Sequence, residues 1–266
     1  MPVVQREDGA GIWWDASGPE DGPAVVLIMG LAYPSDMWWR LVPHLAKDHR
    51  VIVLDNRGAG RTGDVPGAPY TVEMMVADTL AVMDAAGVQT AHVMGASMGG
   101  LIAQELALTA PDRVRTLILG CTHPGIANAV MNPDAVAMLG SRGEMTPEQA
   151  AEASIPFNYD AGTPRERIEE DWAIRLPLAT TPTGYLAQVQ GTMGWNGLPR
   201  IASIKAPTLV VHGEGDRLVP LENGQIIARS IPGAEIVTIP SANHLFFTDQ
   251  PERTVEILTG WLERHP

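Results

Sequence analysis

A chain of 266 residues, 45% hydrophobic and 18% charged, holds enough apolar material for one large α/β domain or two small ones and does not have a disordered composition. Its formal net charge of −13 argues against nucleic acid and anionic membranes as partners, because phosphate groups reward Lys and Arg. The single cysteine, Cys121, excludes an intramolecular disulfide and a cysteine metal cluster. No apolar run is long enough to span a bilayer and no basic-then-apolar leader opens the chain, so the expected location is the cytoplasm.

In chain order, VVQRE and GIWWD flank Asp8-Gly9 and predict a β-hairpin. AVVLIMG reads as a buried strand that ends in glycine, and Ser35 to Ala46 as a helix that Pro43 must kink or bound. VIVLD (Val51 to Asp55) is the next buried strand, followed by the turn-rich NRGAGRTGDVPGAP. Thr71 can cap the helix VEMMVADTLAVMDAAG, which Gly87 closes. A strand then leads to Ser97, a helix follows it, and VRTLILG (Val114 to Gly120) is another strand. Continuous apolar strands alternating with helices imply a parallel sheet covered on both faces. From about His123 to Arg200 the strand rhythm stops and helical pieces take over: Met131 to Leu139, Pro147 to Ser154, Pro164 to Arg175 and Thr183 to Met193. The βα rhythm resumes at APTLVVHG, continues through Leu221 to Ser230 and AEIVTIP, and ends in a helix from about Pro251 to Glu263.

The stretch Gly95-Ala96-Ser97-Met98-Gly99 lies where a strand pattern hands over to a helix pattern. A sharp strand-to-helix turn lifts a serine to the mouth of a sheet but crowds the residues two places away, and glycine there removes the clashing Cβ. Such a serine needs a base within hydrogen-bond reach, and the base needs an orienting acid. The acid is expected next in chain order and the histidine last, each at a strand's C-terminal end. HGEGDRLVP supplies Asp216 and SANHLFFTD supplies His244; Glu214 and Asp249 are rival acids. Asp216 also has a bland reading, as the cap of a turn ahead of Pro220. His212, inside a strand, reads as a packed or hydrogen-bonded core residue, and His123 as a residue that opens the helical segment and can line a pocket. Two backbone donors complete an oxyanion hole: the N–H of Met98, which follows the nucleophile, and the N–H of Leu31 in the loop MGLAYP.

At this point the chain resembles the α/β-hydrolase superfamily over nearly its whole length, in LIMGLAYPSDMWW, VIVLDNRGAGRT, HVMGASMGGLIAQELAL, PDRVRTLILG, PTLVVHGEGDRLVP and IPSANHLFFTDQPE. It looks most like small bacterial esterases, enol-lactonases, cofactor-free haloperoxidase-type proteins and relatives similar to anthracycline methylesterases. The resemblance implies an α/β fold: a mostly parallel eight-stranded sheet with helices on both faces. Residues 1–122 and 201–266 would form the core, and residues 123–200 a helical cap inserted between strands six and seven. Where many members have His-Gly, this chain has Met29-Gly30, which keeps the backbone donor but changes the polarity beside it. A serine at position 97 speaks against the dehalogenases and epoxide hydrolases of this fold, which attack with aspartate. Asp55, Arg57 and Gly58 read as turn chemistry and charge pairing.

The expected activity is that of a serine hydrolase: cleavage of a carboxylic ester or lactone of a fairly apolar small molecule through an acyl-enzyme on Ser97, with no metal or organic cofactor. Two alternatives stay open. One is a cofactor-free perhydrolase (haloperoxidase) or C–C bond hydrolase using the same three residues; the other is a non-catalytic ligand-binding protein on this fold. Met131, Met138, Phe157, Tyr159, Trp172 and Tyr185 make the cap segment apolar. Met29, His123, Met193, Trp195 and Leu245 are the expected pocket-lining residues. The expected partner is the small-molecule substrate, and assembly into a homo-oligomer is left open.

Overall fold

The computed structural model describes residues 2–266. Its eight strands are β1 (Val3–Gln5), β2 (Gly11–Ser17), β3 (Ala24–Ile28), β4 (Arg50–Leu54), β5 (Ala91–Ala96), β6 (Val114–Gly120), β7 (Thr208–Gly213) and β8 (Glu235–Ile239). They form one sheet in the order β1-β2-β4-β3-β5-β6-β7-β8. The β1–β2 and β2–β4 pairs are antiparallel and all the others parallel. The hairpin closes as its turn signal predicts: Arg6 N–H donates to the Ala10 carbonyl, and Gly9 takes the left-handed conformation at φ 87°.

Period-two burial splits each central strand between two apolar layers. Val26 and Ile28 of β3 face one cluster with Ile52, Leu54 and Val93, whereas Val25 and Leu27 face the other with Val51 and Met94. Among the described residues the eleven α-helices are α1 (Val42–Leu45), α2 (Val72–Ala85), α3 (Met98–Thr109), α4 (Pro133–Ser141), α5 (Pro147–Ala153), α6 (Ile155–Asn158), α7 (Arg165–Arg175), α8 (Pro182–Met193), α9 (Glu222–Ser230), α10 (Phe246–Asp249) and α11 (Pro251–Glu263). α2, α3 and α9 pack on the first layer, and α1 and α11 on the second. The Thr71 hydroxyl caps α2 by accepting from Met74 N, and Gly87, φ 71°, follows its end.

Two local differences have simple causes. Ser35 to Ala46 is not one helix: a 3-10 stretch, Ser35–Arg40, precedes α1, and Pro43 sits in the first turn of α1, where its missing N–H costs nothing. α6 and α10 are single turns, too short for a readable apolar period. Between β6 and β7 the described residues form helices and irregular turns, and an isolated antiparallel bridge, Gly125 to Asn196, ties the two ends of this excursion together. The Pro124 carbonyl strengthens that neck by accepting from Gly197 N and Leu198 N at 2.9 and 3.1 Å.

Candidate active site

The β5–α3 junction turns on Ser97, whose φ of 55° and ψ of −118° lie outside the regions ordinary side chains prefer. The flanking glycines are needed for plain steric reasons. A Cβ on Gly95 would sit 2.1 Å from the Gly99 carbonyl oxygen, and one on Gly99 would sit 2.1 Å from the Ile28 oxygen. Two further bonds pin the turn: Ser97 N donates to Gly120 O at 2.9 Å, and the Thr122 hydroxyl donates to Ser97 O at 2.7 Å. Met98 is the first residue of α3, so its N–H belongs to the set that a helix start leaves without an intrahelical acceptor. The β3 loop approaches from the other side, where a Cβ on Gly30 would meet Ser97 Cβ at 3.1 Å. That approach brings Leu31 beside the elbow, and Leu31 and Met98 both line the cavity that Ser97 faces.

Gln188 of α8, which sequence reasoning missed, braces this loop. Its side-chain oxygen accepts from Ala32 N at 2.8 Å and its amide donates to the Arg57 carbonyl at 2.6 Å. Ala32 thereby holds a positive φ of 63°. No local motif marks Gln188, because its role depends on where α8 lands. The DNRGAG turn is a structural knot, as its composition suggests. Arg57 bridges Asp78 and Asp8 at 2.5 Å each, and buried Asp55 accepts from Ser35 N, the Ser35 hydroxyl and Arg61 N.

At the ends of β7 and β8, His244 Nδ1 lies 2.9 Å from Asp216 Oδ2. Asp216 Oδ1 accepts from Leu218 N and Val219 N at 2.9 and 2.8 Å. A second imidazole reaches the same carboxylate: His212 Nε2 is 3.3 Å from Asp216 Oδ2 and 2.8 Å from Val219 O. A carbonyl only accepts, so His212 carries its proton on Nε2 and donates. Burial would raise the Asp216 pKa, but the charge of His244 and the donors from His212 and His244 outweigh it and hold the carboxyl below its ordinary value. Asp216 therefore stays ionised beside the imidazole. The rival acids are engaged elsewhere. Exposed Glu214 accepts from the Thr238 hydroxyl. Asp249 accepts from Asn243 N, Asp160 N and the Thr163 hydroxyl.

Ser97 and His244 stand in the wall of one cavity of about 490 Å³. Met29, His123, Met193 and Leu245 line it too. So do Met131, Met138 and Tyr185 of the helical excursion, whereas Phe157, Tyr159 and Trp172 pack into apolar clusters behind it. Trp195 is a correction: it is not among the lining residues but lies in the core, 4% exposed, with its indole N–H donating to Glu105 Oε2 at 2.8 Å. Glu105 also binds Arg200, so this buried charge captures the indole that the pocket was expected to take. His123 faces the cavity as a neutral ring. Burial, followed by the like charge of His244, lowers its pKa to about 4, and its Nδ1 accepts from Gly125 N. Cys121 lies on the same wall with its thiol pushed far up by burial and by the charge of Asp216, so it is not a competing nucleophile. Among the described residues no cluster of His, Cys, Asp or Glu is arranged to hold a metal ion, and no helix is long and apolar enough to cross a membrane.

Known proteins share this arrangement of elements. The model of the alpha/beta hydrolase fold family matches residues 23–251. A protein of Azorhizobium caulinodans, provisionally named carbamate hydrolase RutD, is 31% identical over 98% of each chain. The protein provisionally named non-heme bromoperoxidase BpoC of Mycobacterium tuberculosis is 32% identical over 87% of this chain and 90% of its own. Among solved structures, the enol-lactonase of Burkholderia xenovorans LB400 superposes with a TM-score of 0.87 at 25% identity, covering 98% of this chain and 100% of the other.

Proposed function

The chain belongs to the α/β-hydrolase fold family, and within it we propose a serine hydrolase that cleaves a carboxylic ester or lactone of a fairly apolar small molecule. One observation carries the reading: an imidazole oriented by a buried, ionised Asp216 shares a cavity wall with a serine on a strained elbow. Ser97 Oγ attacks the carbonyl carbon while His244 Nε2 takes its proton. Asp216 keeps the other ring nitrogen protonated and faces the imidazolium that forms. The N–H groups of Leu31 and Met98 receive the oxyanion. Collapse breaks the bond to the leaving oxygen, which takes the proton from His244, and leaves an acyl group on Ser97. Water, deprotonated by the same imidazole, then releases the acid and restores the serine.

The apolar substrate class follows from the cavity. Its rim exposes Ile126, Met131, Val136, Leu186 and Met193, side chains that a soluble surface ordinarily hides when they cluster. In this reading residues 123–200 act as the cap over a core of residues 1–122 and 201–266. We place the protein in the cytoplasm, on its lone buried thiol and its sequence.

The relative named as a bromoperoxidase favours a second reading, in which hydrogen peroxide replaces water at the acyl group and releases a peracid. A panel of p-nitrophenyl esters of rising chain length, lactones and carbamates, each with and without peroxide, separates the two. The expected result is ester or lactone turnover that needs no peroxide, together with fluorophosphonate labelling that vanishes in Ser97→Ala. Labelling that persists in Ser97→Ala, or a folded protein that turns over none of these substrates, would overturn the proposal; a protein that binds them without turnover is the ligand-binding alternative.

A further inference from the structure

The chain has 31 Asp and Glu against 18 Lys and Arg, yet among the described residues no carboxylate lines the catalytic cavity or the smaller cavity of about 100 Å³ beside it. The two cavities share Tyr33, Arg142 and Tyr185 as a partition. Two guanidinium groups border the smaller one, Arg142 and Arg175.

Arg175 ends α7 and is 4% exposed. Its Nε and Nη2 are buried and make no hydrogen bond among the described residues. The equally buried Arg57 shows how this chain otherwise satisfies such a group: Nε and Nη2 of Arg57 hold the two oxygens of Asp78 side by side, at 2.5 and 2.8 Å. In Arg175 the same pair of donors is empty-handed. The Arg175 guanidinium lies 4.8 Å from the centre of the Tyr33 ring. Arg142 lies 5.6 Å from that ring and 5.4 Å from the Tyr185 ring. Ring faces and the C-terminal end of a helix favour a cation, but neither supplies an acceptor for the two forked N–H groups. A buried donor pair without acceptors is costly, and a planar carboxylate is the group whose two oxygens match that fork.

We propose that this side cavity is a carboxylate-binding subsite, with Arg175 as the bidentate anchor and Arg142 as the second positive group. The carboxylate has two sources: the far end of the substrate, reaching past Tyr33 from the catalytic cavity, or a separate small carboxylate that occupies the subsite alone.

Calorimetric titration of the intact protein at constant ionic strength tests the site with glutarate as the probe and glutaramide as its uncharged counterpart. Glutarate should bind saturably, glutaramide should not, and Arg175→Gln and Arg142→Gln should each weaken glutarate by about tenfold or more, the loss expected for one charge-assisted contact. The glutaramide comparison needs no substitution, so a variant that fails to fold does not spare the proposal. Equal binding of glutarate and glutaramide, no binding of glutarate, or undiminished binding in both variants overturns it. The source is read from turnover, an arm that rests on the hydrolase reading whereas the calorimetry does not. The p-nitrophenyl monoester of adipic acid is compared with p-nitrophenyl hexanoate. A preference for the adipate ester that appears in KM and shrinks in Arg175→Gln assigns the carboxylate to the substrate. Glutarate binding without such a preference assigns it to a separate ligand.

Discussion

Ser97 holds a backbone conformation that glycine tolerates and serine does not, at φ 55° and ψ −118°. Ser97→Gly should therefore raise the stability of the protein by about 1 kcal/mol while removing the nucleophile. Ser97→Ala should lose turnover with little change in stability, since alanine meets the same strain. Urea titration and a chromogenic ester assay on the two variants check both statements; a glycine variant less stable than the alanine variant would show that the turn is not strained. Asp216 accepts three hydrogen bonds, from His244, Leu218 N and Val219 N, and His212 Nε2 lies 3.3 Å from its Oδ2. Asp216→Asn replaces an acceptor with a donor facing two imidazole N–H groups, and kcat should fall by about 10⁴, as in other triads that lose the acid's charge. His212 is a buried core residue, as its strand position predicts; its donor to Asp216 is visible only once β7 and the loop after it are folded together.

At the scale of elements, the elbow and the neck of the helical excursion carry different kinds of constraint. Gly95→Ala must push the β5 and α3 backbones apart and should cost about 3 kcal/mol or more. A Cβ on Gly87 meets open space, so Gly87→Ala should cost only about 1 kcal/mol from its positive φ. Denaturant melts of the pair separate crowding from strain. Trp195→Phe keeps a ring in the core but removes the bond to Glu105, a buried carboxylate that then relies on Arg200 alone. It should lose about 1–3 kcal/mol of stability and leave the ratio of kcat/KM for long and short esters where it was. A shift in that ratio larger than the loss in stability accounts for would put Trp195 back in the pocket.

For the whole molecule, buried titratable groups set the response to acid. The pKa values of His92 and His123 are both lowered from 6.5 to about 4, in each case first by burial. Between those values the unfolded chain takes up protons that the native chain refuses, so stability falls as the pH is lowered through that window. For His92, 1% exposed, the loss reaches at most about 3 kcal/mol by pH 4. Asp249 opposes this. Burial raises its pKa from 3.8 to about 6, so the native state takes its proton first and acid favours the fold between those values. Burial raises the Asp171 carboxyl as well, but Asp216 and Glu105 are held below their ordinary values and act with the two imidazoles, so Tm should drop on going from pH 7 to 4.5. His92→Gln should make that drop shallower and Asp249→Asn steeper, by differential scanning calorimetry. A drop unchanged in both variants would show that other groups control acid stability.

What the sequence determined by itself were the features whose causes are local. Apolar runs with β-branched residues specified the strands, Thr71 and Gly87 bounded a helix, and glycine spacing marked Ser97 as the elbow. The order of strand ends then nominated Asp216 and His244. What only the tertiary structure decided depends on where distant segments land. Gln188 reaches Ala32 across 156 residues of chain, and Trp195 is drawn into the core by Glu105 ninety positions earlier. The forked donors of Arg175 are left without an acceptor because no carboxylate of this acidic chain folds up against them. A side chain's partner across such a distance is chosen by the packing of whole layers, and no short window of residues carries that information.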